Sequence, residues 1–394
     1  MAKLRLLPFI LCFFLFIFLT GCWDQINIEE RGFVIGTAVD KADNHSDESQ
    51  KLALTNQIVS PAGLGTPTEG GGDEPPYINL TTSGESIFAI NRKMLKETSR
   101  PPFYEQLRLL VISEEVALDG DLFASMLDLF IRDQEMRRII KVIIAEDKAK
   151  DVLEVDPKPE KLPVVHVDMT TENAFKSMDM IQPVILGRLH SYLLNDNSYV
   201  LPRISVRDKD VDYTGVVVFN GLSNQMVGSL DASETKGMNL IKGNMNGGYI
   251  KFEVDNHNMN FEIERTNSKM TLVSEDPKNM DIQINIKVEG RLAEMYGSKT
   301  LLDSSYLAKM ESKIADKVER LANKTIEKAQ NDLKLDVLDI DKVLKQRHYH
   351  IWKKINKNWE YNENIFSKSN IKVSANVQVR EVGATDRAKD KNSD

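Results

Sequence analysis

The first 22 residues constrain the interpretation of the chain most, because they combine a basic end, a short apolar stretch and a cysteine. Lys3 and Arg5 form a short basic end, and the following residues 6–19 are almost wholly apolar. That run is shorter than the roughly 20 apolar residues that a membrane-spanning helix needs. A basic end, a short apolar stretch and small residues before a cleavage point are typical of a secretory signal. We therefore predict that residues 1–21 are a signal peptide that is removed.

The signal ends in the tetrapeptide Leu19-Thr20-Gly21-Cys22. This sequence resembles the lipobox of bacterial lipoproteins, in which the cysteine thiol takes a diacylglyceryl group and becomes the first residue of the mature chain. One acyl chain binds a membrane only reversibly, whereas two hydrophobic signals give stable anchoring. The alternative is an uncleaved anchor in which Cys22 is incidental, but the small residue before it favours the lipobox. We predict Cys22 as the lipid attachment site, carrying acyl chains such as palmitate on the outer face of the cell membrane.

The net charge and the cysteine content of the mature chain exclude several kinds of partner and of reactive site. The formal net charge is −8, and removal of Lys3 and Arg5 leaves the chain more acidic still. An acidic exterior argues against nucleic acid as a partner and against electrostatic docking on anionic lipid. Cys12 lies in the signal, so Cys22 is the only cysteine of the mature chain. An internal disulfide, a thiol nucleophile and a thiolate metal site are therefore excluded.

The first half alternates short strands with helices. Residues 32–40 and 52–59 are rich in β-branched side chains and predict a hairpin. Two further apolar strands are expected at 107–113 and 138–145, on either side of a helix that includes 122–130. This order predicts a mixed sheet covered by helices on at least one face.

Loops and helix ends are predicted from proline, glycine and serine. The stretch 60–79 is rich in proline and glycine and is expected to be a mobile loop. Ser83 follows as the expected N-cap of a helix over 85–98, which must end before Pro101. Helical segments are also expected within 170–194.

A domain boundary is expected at the strongly charged segment 207–212. We predict an N-terminal domain over 22–206 and a C-terminal domain over 207–383, with a possible further division near residue 300. The polar residues 384–394 are expected to form a disordered tail.

The second half of the chain has a different hydrophobic pattern from the first. Apolar and polar residues alternate over 259–264, 282–289 and 371–380, which is typical of antiparallel strands with one buried face. Residues 305–330 predict a long amphipathic helix whose apolar stripe closes that face, and 339–350 predict another helix. The predicted fold class is α+β, multi-domain, with mixed and antiparallel sheets covered by helices.

Motifs that carry catalysis are absent from the sequence. It contains no H-E-x-x-H, G-x-S-x-G, Walker A or G-x-G-x-x-G pattern. His348 and His350 are the only close histidine pair, and at this spacing on a helix their rings are expected to point to different faces. Paired carboxylates of a glycoside hydrolase stay open, because their separation is set in three dimensions. We predict no catalytic residues, no metal and no cofactor.

Two further segments resemble ion-binding sites but lack residues that such sites need. Asp208, Asp210 and Asp212 imitate the start of a calcium loop, but Tyr213 stands where the sharp turn needs glycine. A solvated charged linker is the expected structure there. Gly243–Gly248 could cradle an anion, but it precedes a strand and not a helix, so a simple turn is expected.

Several motifs together resemble one protein family. Gly21-Cys22-Trp23-Asp24 and the following Glu30–Lys41 are similar to the start of the Ger(x)C lipoproteins, the C subunits of nutrient germinant receptors in endospore-forming bacteria. Further similar segments follow in the family's order: Gly84–Phe88, Ser99–Phe103, Leu107–Glu115, Thr214–Phe219, Met226–Gly228, Glu234–Gly237 and Trp352–Val382.

The resemblance implies a non-enzymatic subunit needed for receptor assembly or for the signalling that starts spore germination. It also implies assembly with two integral-membrane subunits, of A and B type, in the spore's inner membrane, within a complex that senses a small-molecule germinant. No ligand-contact residues can be carried over, because most residues of these motifs are structural.

Two other functions stay open from the sequence. A solute-binding lipoprotein of an importer would have two doubly wound lobes with continuous apolar strands, whereas the second half here alternates. A cell-envelope hydrolase is the other alternative, and no sequence feature favours it.

Overall fold

A computed structural model of the chain describes residues 30–43, 51–64, 75–294 and 303–381. The described chain forms a ten-stranded sheet and a four-stranded sheet, with helices packed on both. The strands of the large sheet are β1 (Gly32–Lys41), β2 (Leu52–Val59), β3 (Tyr77–Gly84), β4 (Pro102–Phe103), β5 (Leu109–Ser113), β6 (Lys141–Ala145), β7 (Val184–Ile185), β8 (Tyr199–Arg207), β9 (Asp210–Asn220) and β10 (Gln225–Leu230).

The large sheet has a parallel centre and antiparallel flanks. Its strand order is β10-β9-β8-β6-β5-β1-β2-β3, with β4 paired to β1 and β7 to β6. Neighbours among β1, β5, β6 and β8 are parallel, whereas β2 and β3 on one side and β9 and β10 on the other are antiparallel. Central parallel strands are covered on both faces, which explains why β5 is apolar from Leu109 to Ile112 and β6 from Val142 to Ala145.

Helices cover both faces of the large sheet. They are α1 (Pro61–Leu64), α2 (Ile87–Met94), α3 (Glu114–Ala117), α4 (Gly120–Arg132), α5 (Ala149–Val152), α6 (Pro163–Thr171) and α7 (Leu186–Leu193), with a 3₁₀ turn at Glu172–Lys176. Leu110 and Ile112 of β5 share a core with α2, α4 and α7, whereas Leu109 and Val111 share a second core with α5 and α6. Because side chains alternate along a strand, the two cores lie on opposite faces. The mixed, helix-covered sheet is therefore confirmed.

The predicted hairpin is confirmed, but the segment after it differs from our expectation. Residues 77–84, assigned to a loop and a helix start, form strand β3. Ser83 therefore caps no helix. Ser86 does, with its Oγ accepting a hydrogen bond from the Ala89 N–H (3.2 Å). The prediction was wrong because β3 is an edge strand with many polar residues, so its alternation is weak and both serines fit an N-cap.

The charged segment 207–212 is a hairpin turn between two paired strands. Arg207 pairs with Asp210, and Asp208 and Lys209 between them have positive φ values of 49° and 64°. Two residues of positive φ give the backbone twist that tight hairpins favour. The segment is thus neither a calcium loop nor a free linker, and the large sheet runs across the domain boundary that we predict there.

The small sheet and its helices form the rest of the chain. The strands are β11 (Tyr249–Val254), β12 (His257–Ser274), β13 (Asp281–Glu294) and β14 (Asn370–Glu381), in that order across the sheet. The helices are α8 (Ala232–Lys242), α9 (Ser304–Glu327), α10 (Ile340–Arg347), α11 (Tyr349–Ile355) and α12 (Ile365–Lys368), with a π-helical turn at Lys328–Leu333 and a 3₁₀ turn at Asn356–Asn358.

Strand β14 lies parallel to β13, whereas we expected three antiparallel strands. The pairs β11–β12 and β12–β13 are antiparallel, as expected, but Ile282 of β13 pairs in the parallel sense with Ile371 of β14. The long crossover that contains α9 returns the chain to the same end of the sheet, which a parallel pair requires. The alternation of apolar and polar residues along a strand indicates that one face is buried, but it does not indicate whether the strand runs parallel or antiparallel to its neighbour.

The long helix and its packing are confirmed. Asp303 caps α9 by accepting from the backbone N–H of Ser305 (2.9 Å). Met310, Ile314 and Val318 are fully buried in one core with the apolar side chains of β12 and β13. That core also includes Val216 of β9 and residues of α8, so the two sheets share it.

The predicted signal peptide, Cys22 and the tail lie outside the described residues. Within them, no helix is long and apolar enough to cross a membrane.

Candidate functional site

A cleft of about 500 Å³ lies between the segment 174–200 and two parts of the second half, residues 238–246 and 336–345. Its walls come from α7 and the start of β8 on one side, and from α8, α10 and the glycine-rich bend on the other. Ligand sites are commonly concave clefts with an apolar lining and a few polar groups. This cleft is therefore the candidate functional site.

One wall depends on a close approach of the glycine-rich bend to residues 175–178. A Cβ at Gly247 would lie 2.4 Å from the carbonyl oxygen of Phe175, and one at Gly248 would lie 2.4 Å from Cγ of Met178. Gly248 also has φ +95°, which disfavours any other residue. The expected turn is thus present, and glycine allows it to pack against the other half of the chain.

A side-chain amide fixes the same wall. Asn239 on α8 donates through Nδ2 to the carbonyl oxygens of Met178 and Met180, each at 2.8 Å. Two partly buried hydrogen bonds from one amide hold α8 against the segment that enters the cleft.

Two lysines share one aspartate in the cleft. The Oδ1 of Asp339 lies 3.6 Å from Lys242 Nζ and 2.8 Å from Lys342 Nζ. Burial alone would raise the pKa of Asp339, but the two ammonium groups outweigh it and lower the pKa below its ordinary value. Burial lowers the pKa of Lys242, because removing its charge from water is costly. Among the described residues, Asp339 is the one carboxylate within ion-pair distance of either lysine.

A buried carboxylate organises the chain before α10. Asp336 accepts hydrogen bonds from Trp359 Nε1 (2.9 Å) and from the backbone N–H groups of Leu338 (3.0 Å) and Asp341 (2.7 Å). These donors occupy both of its oxygens. Burial nevertheless raises the pKa of Asp336. Its role is to hold the segment 336–341 in shape.

Two more acidic side chains tie this region to the first half of the chain. Glu360 accepts from the backbone N–H of Asp336 (2.6 Å) and of Ser198 (3.3 Å), and Asp341 accepts from the amide of Asn197. Burial and the nearby Asp336 carboxylate raise the pKa of Asp341 to about 7 and that of Glu360 to about 8. At neutral pH this cluster therefore carries less negative charge than three carboxylates would.

The histidine pair differs from our expectation. His348 Nδ1 and His350 Nε2 both approach the carboxylate of Glu275, at 3.7 and 3.2 Å. They point the same way because His348 lies between α10 and α11, outside regular helix. In the described ranges, no group of three or more histidine, cysteine, aspartate or glutamate side chains is arranged to hold a metal.

The residues of the cleft are not predicted from the sequence. Asn239, Asp336 and Glu360 occur in different parts of the chain, and no local spacing links them. The one signal was the glycine-rich bend, which we interpreted as a turn.

Comparisons with known proteins cover nearly the whole chain. Residues 24–206 match the family described as spore germination protein N-terminal domain, and residues 214–383 match spore germination B3/GerAC like, C-terminal. The two matches meet at the hairpin between β8 and β9.

Individual proteins that are similar to this chain are also spore germination proteins. Spore germination protein YndF of Bacillus subtilis (strain 168) is 28% identical over 400 residues, covering 97% of this chain and 98% of that protein. Spore germination protein B3 of the same organism is 28% identical over 385 residues, covering 95% and 97%. Spore germination protein A3, also from that organism, is 29% identical over 385 residues, covering 97% and 98%.

A solved structure has the same fold. The crystal structure of the GerBC protein aligns with a TM-score of 0.59 and 24% identity, over 90% of this chain and 100% of that one. The family matches across both halves show that the chain belongs to the Ger(x)C family of spore germination proteins.

Proposed function

We propose that this chain is the lipid-anchored, non-enzymatic C subunit of a nutrient germinant receptor. The observation that carries the proposal is the junction at Cys22. A lipobox-like Leu19–Cys22 ends two residues before the family's N-terminal domain begins at residue 24. Lipidation at Cys22 would leave the body directly at the membrane surface, on the outer face of the spore's inner membrane.

The proposed partners are two integral-membrane subunits of A and B type. The resemblance of this chain to C subunits over both halves supports them. In this proposal the complex senses a small-molecule germinant, and the present chain is needed for its assembly or for signalling.

The importer alternative receives less support. A solute-binding lipoprotein would close two doubly wound lobes over its ligand. Here the second half is a four-stranded sheet with β11, β12 and β13 antiparallel, and its core continues into the large sheet. Nothing in the described residues favours a hydrolase over a binding protein.

The test compares two cysteine substitutions in sporulating cells fed with labelled palmitate. We expect Cys22→Ala to lose the label and to leave the membrane fraction, and nutrient-triggered germination to weaken. The matched control is Cys12→Ala, because it removes the other cysteine of the chain but lies within the signal peptide. It should keep both the label and the membrane location. A Cys22→Ala chain that is still labelled and still membrane-bound would overturn the proposal.

A further inference from the structure

The cleft between the two halves has an unbalanced charge. Lys242 and Lys342 both form an ion pair with Asp339, and among the described residues neither lysine has a second carboxylate within ion-pair distance. The side chain of Lys242 is only 19% exposed, which limits how much water can screen it. An additional negative charge beside these lysines would be stabilised.

The other acidic groups that line the cleft, Asp336 and Asp341, form no ion pair with either lysine in the described residues. Asp336 accepts hydrogen bonds from Trp359 and from backbone N–H groups, and Asp341 accepts from Asn197. Burial raises the pKa of both carboxyl groups, which reduces the negative charge that they carry. The remaining cations add to the imbalance. In the part of the chain that the structure describes, neither Arg188 nor Lys345 forms an ion pair with a carboxylate. Arg188 donates to the hydroxyl of Tyr192 (2.9 Å), and Lys345 lies over the ring of Trp352.

An apolar wall lies beside these charges. Met180, Ile181 and Met245 line the cleft, with Met238 fully buried behind them, and Phe175 in the same lining is 50% exposed. Methionine side chains are flexible and polarisable, so they adapt to apolar groups of different shape. A volume of about 500 Å³ is within the range that holds small organic molecules.

We propose that this cleft binds a small monocarboxylate, with the carboxylate between Lys242 and Lys342 and the apolar part against the methionine wall. A single negative charge matches two ammonium groups that share one aspartate. A phosphate dianion would exceed it, and the N–H groups of Ile340 and Asp341 at the start of α10 already donate to Asp336, so they are not free to bind one. This inference is independent of the proposed role in germination.

The experiment measures binding to the full purified chain in detergent micelles, by calorimetry and by the shift in melting temperature. The probes are the straight-chain acids from acetate to hexanoate, each paired with its neutral amide, together with inorganic phosphate. We expect the acids to bind and to raise the melting temperature, with affinity increasing along the series as more apolar surface is buried. The amides and phosphate should bind much more weakly.

Two variants locate the site. Lys342→Gln removes one ammonium group of the cleft and should weaken binding of hexanoate about tenfold or more. Lys353→Gln is the matched control, because Lys353 is exposed on α11 and does not line the cleft. Four results would each overturn the proposal. They are equal binding of acids and amides, tighter binding of phosphate than of the acids, no binding by any acid, and a Lys342→Gln variant that binds hexanoate as the native chain does. Melting of each variant without ligand verifies that it folds.

Discussion

The carboxylate of Glu319 on α9 accepts a hydrogen bond from the backbone N–H of Ala375 on β14, at 2.8 Å. Glu311 does the same for Val379, at 3.0 Å. Strand β14 is an edge strand of the small sheet, so these N–H groups face away from β13. Eight residues of helix and four residues of strand both span about 12–13 Å, which lets one helix face reach both amides. The long helix thus covers both the buried face and the open edge of the sheet.

Replacing both glutamates should destabilise the protein and expose this edge. We expect the Glu311→Ala, Glu319→Ala double variant to lose about 1–2 kcal/mol of unfolding free energy for each hydrogen bond. It should also self-associate more readily, because an unpaired strand edge can pair with another chain. Urea unfolding and light scattering measure the two effects. Glu327→Ala, an exposed position on the same helix, should change neither. Equal stability of the double variant and this control would contradict the role that we give to the glutamates.

Gly237 is required where α8 crosses α9. A Cβ there would lie 2.2 Å from the carbonyl oxygen of Leu321 and 2.1 Å from Oγ1 of Thr325. The Thr325 hydroxyl donates to the carbonyl oxygen of Glu234 (2.7 Å), so it cannot move away freely. We expect Gly237→Ala to lose roughly 1–3 kcal/mol of unfolding free energy, despite the better helix propensity of alanine. Ser233→Ala, earlier on the same helix, is the control in urea unfolding. A Gly237→Ala chain as stable as the native one would show that the two helices separate easily.

Stability should fall as pH rises from 6 to 8. The pKa of Glu360 is raised to about 8, first by burial and then by the Asp336 carboxylate. The unfolded chain releases this proton near pH 4.3, so between these values the native state binds more protons than the unfolded state. The free energy of unfolding therefore decreases with pH in this window, by roughly 2 kcal/mol between pH 6 and 8 from this group. Asp341, with its pKa raised to about 7, acts in the same direction.

A neutral isostere tests the assignment. Glu360→Gln should flatten the dependence of urea unfolding on pH between 6 and 8, because glutamine does not titrate. Glu363→Gln, an exposed neighbour in the chain, should leave the native slope unchanged. A native protein whose stability increases over this range would contradict the buried, protonated state of Glu360.

The sequence predicts those features that depend on local periodicity. The hairpin at 32–59 and the helix near 305–330 were predicted because burial of one face imposes a period of 2 or 3.6 residues. The position of β3 was missed, since an edge strand with polar residues gives a weak period. The direction of β14 was also missed, because alternation is the same in parallel and antiparallel strands when one face is buried.

The cleft could not be predicted, because its residues meet only through the tertiary fold. Asn239 reaches Met178, and Glu360 reaches Ser198, across long separations in sequence. Asparagine, lysine and aspartate are also common on solvated surfaces, so their presence alone carries no signal. Cys22, in contrast, is marked by the residues just before it, and its lipidation stays a prediction.

The central claim is that this chain works as the C subunit of a membrane receptor. The most direct measurement is affinity purification of the tagged full chain from detergent-solubilised inner membranes of spores, with the bound proteins identified by mass spectrometry. Our account predicts that two integral-membrane proteins co-purify with the native chain in a fixed ratio, and that their recovery falls with Cys22→Ala. Recovery of the native chain without any co-purifying membrane protein, in a detergent that preserves other membrane complexes, would contradict it.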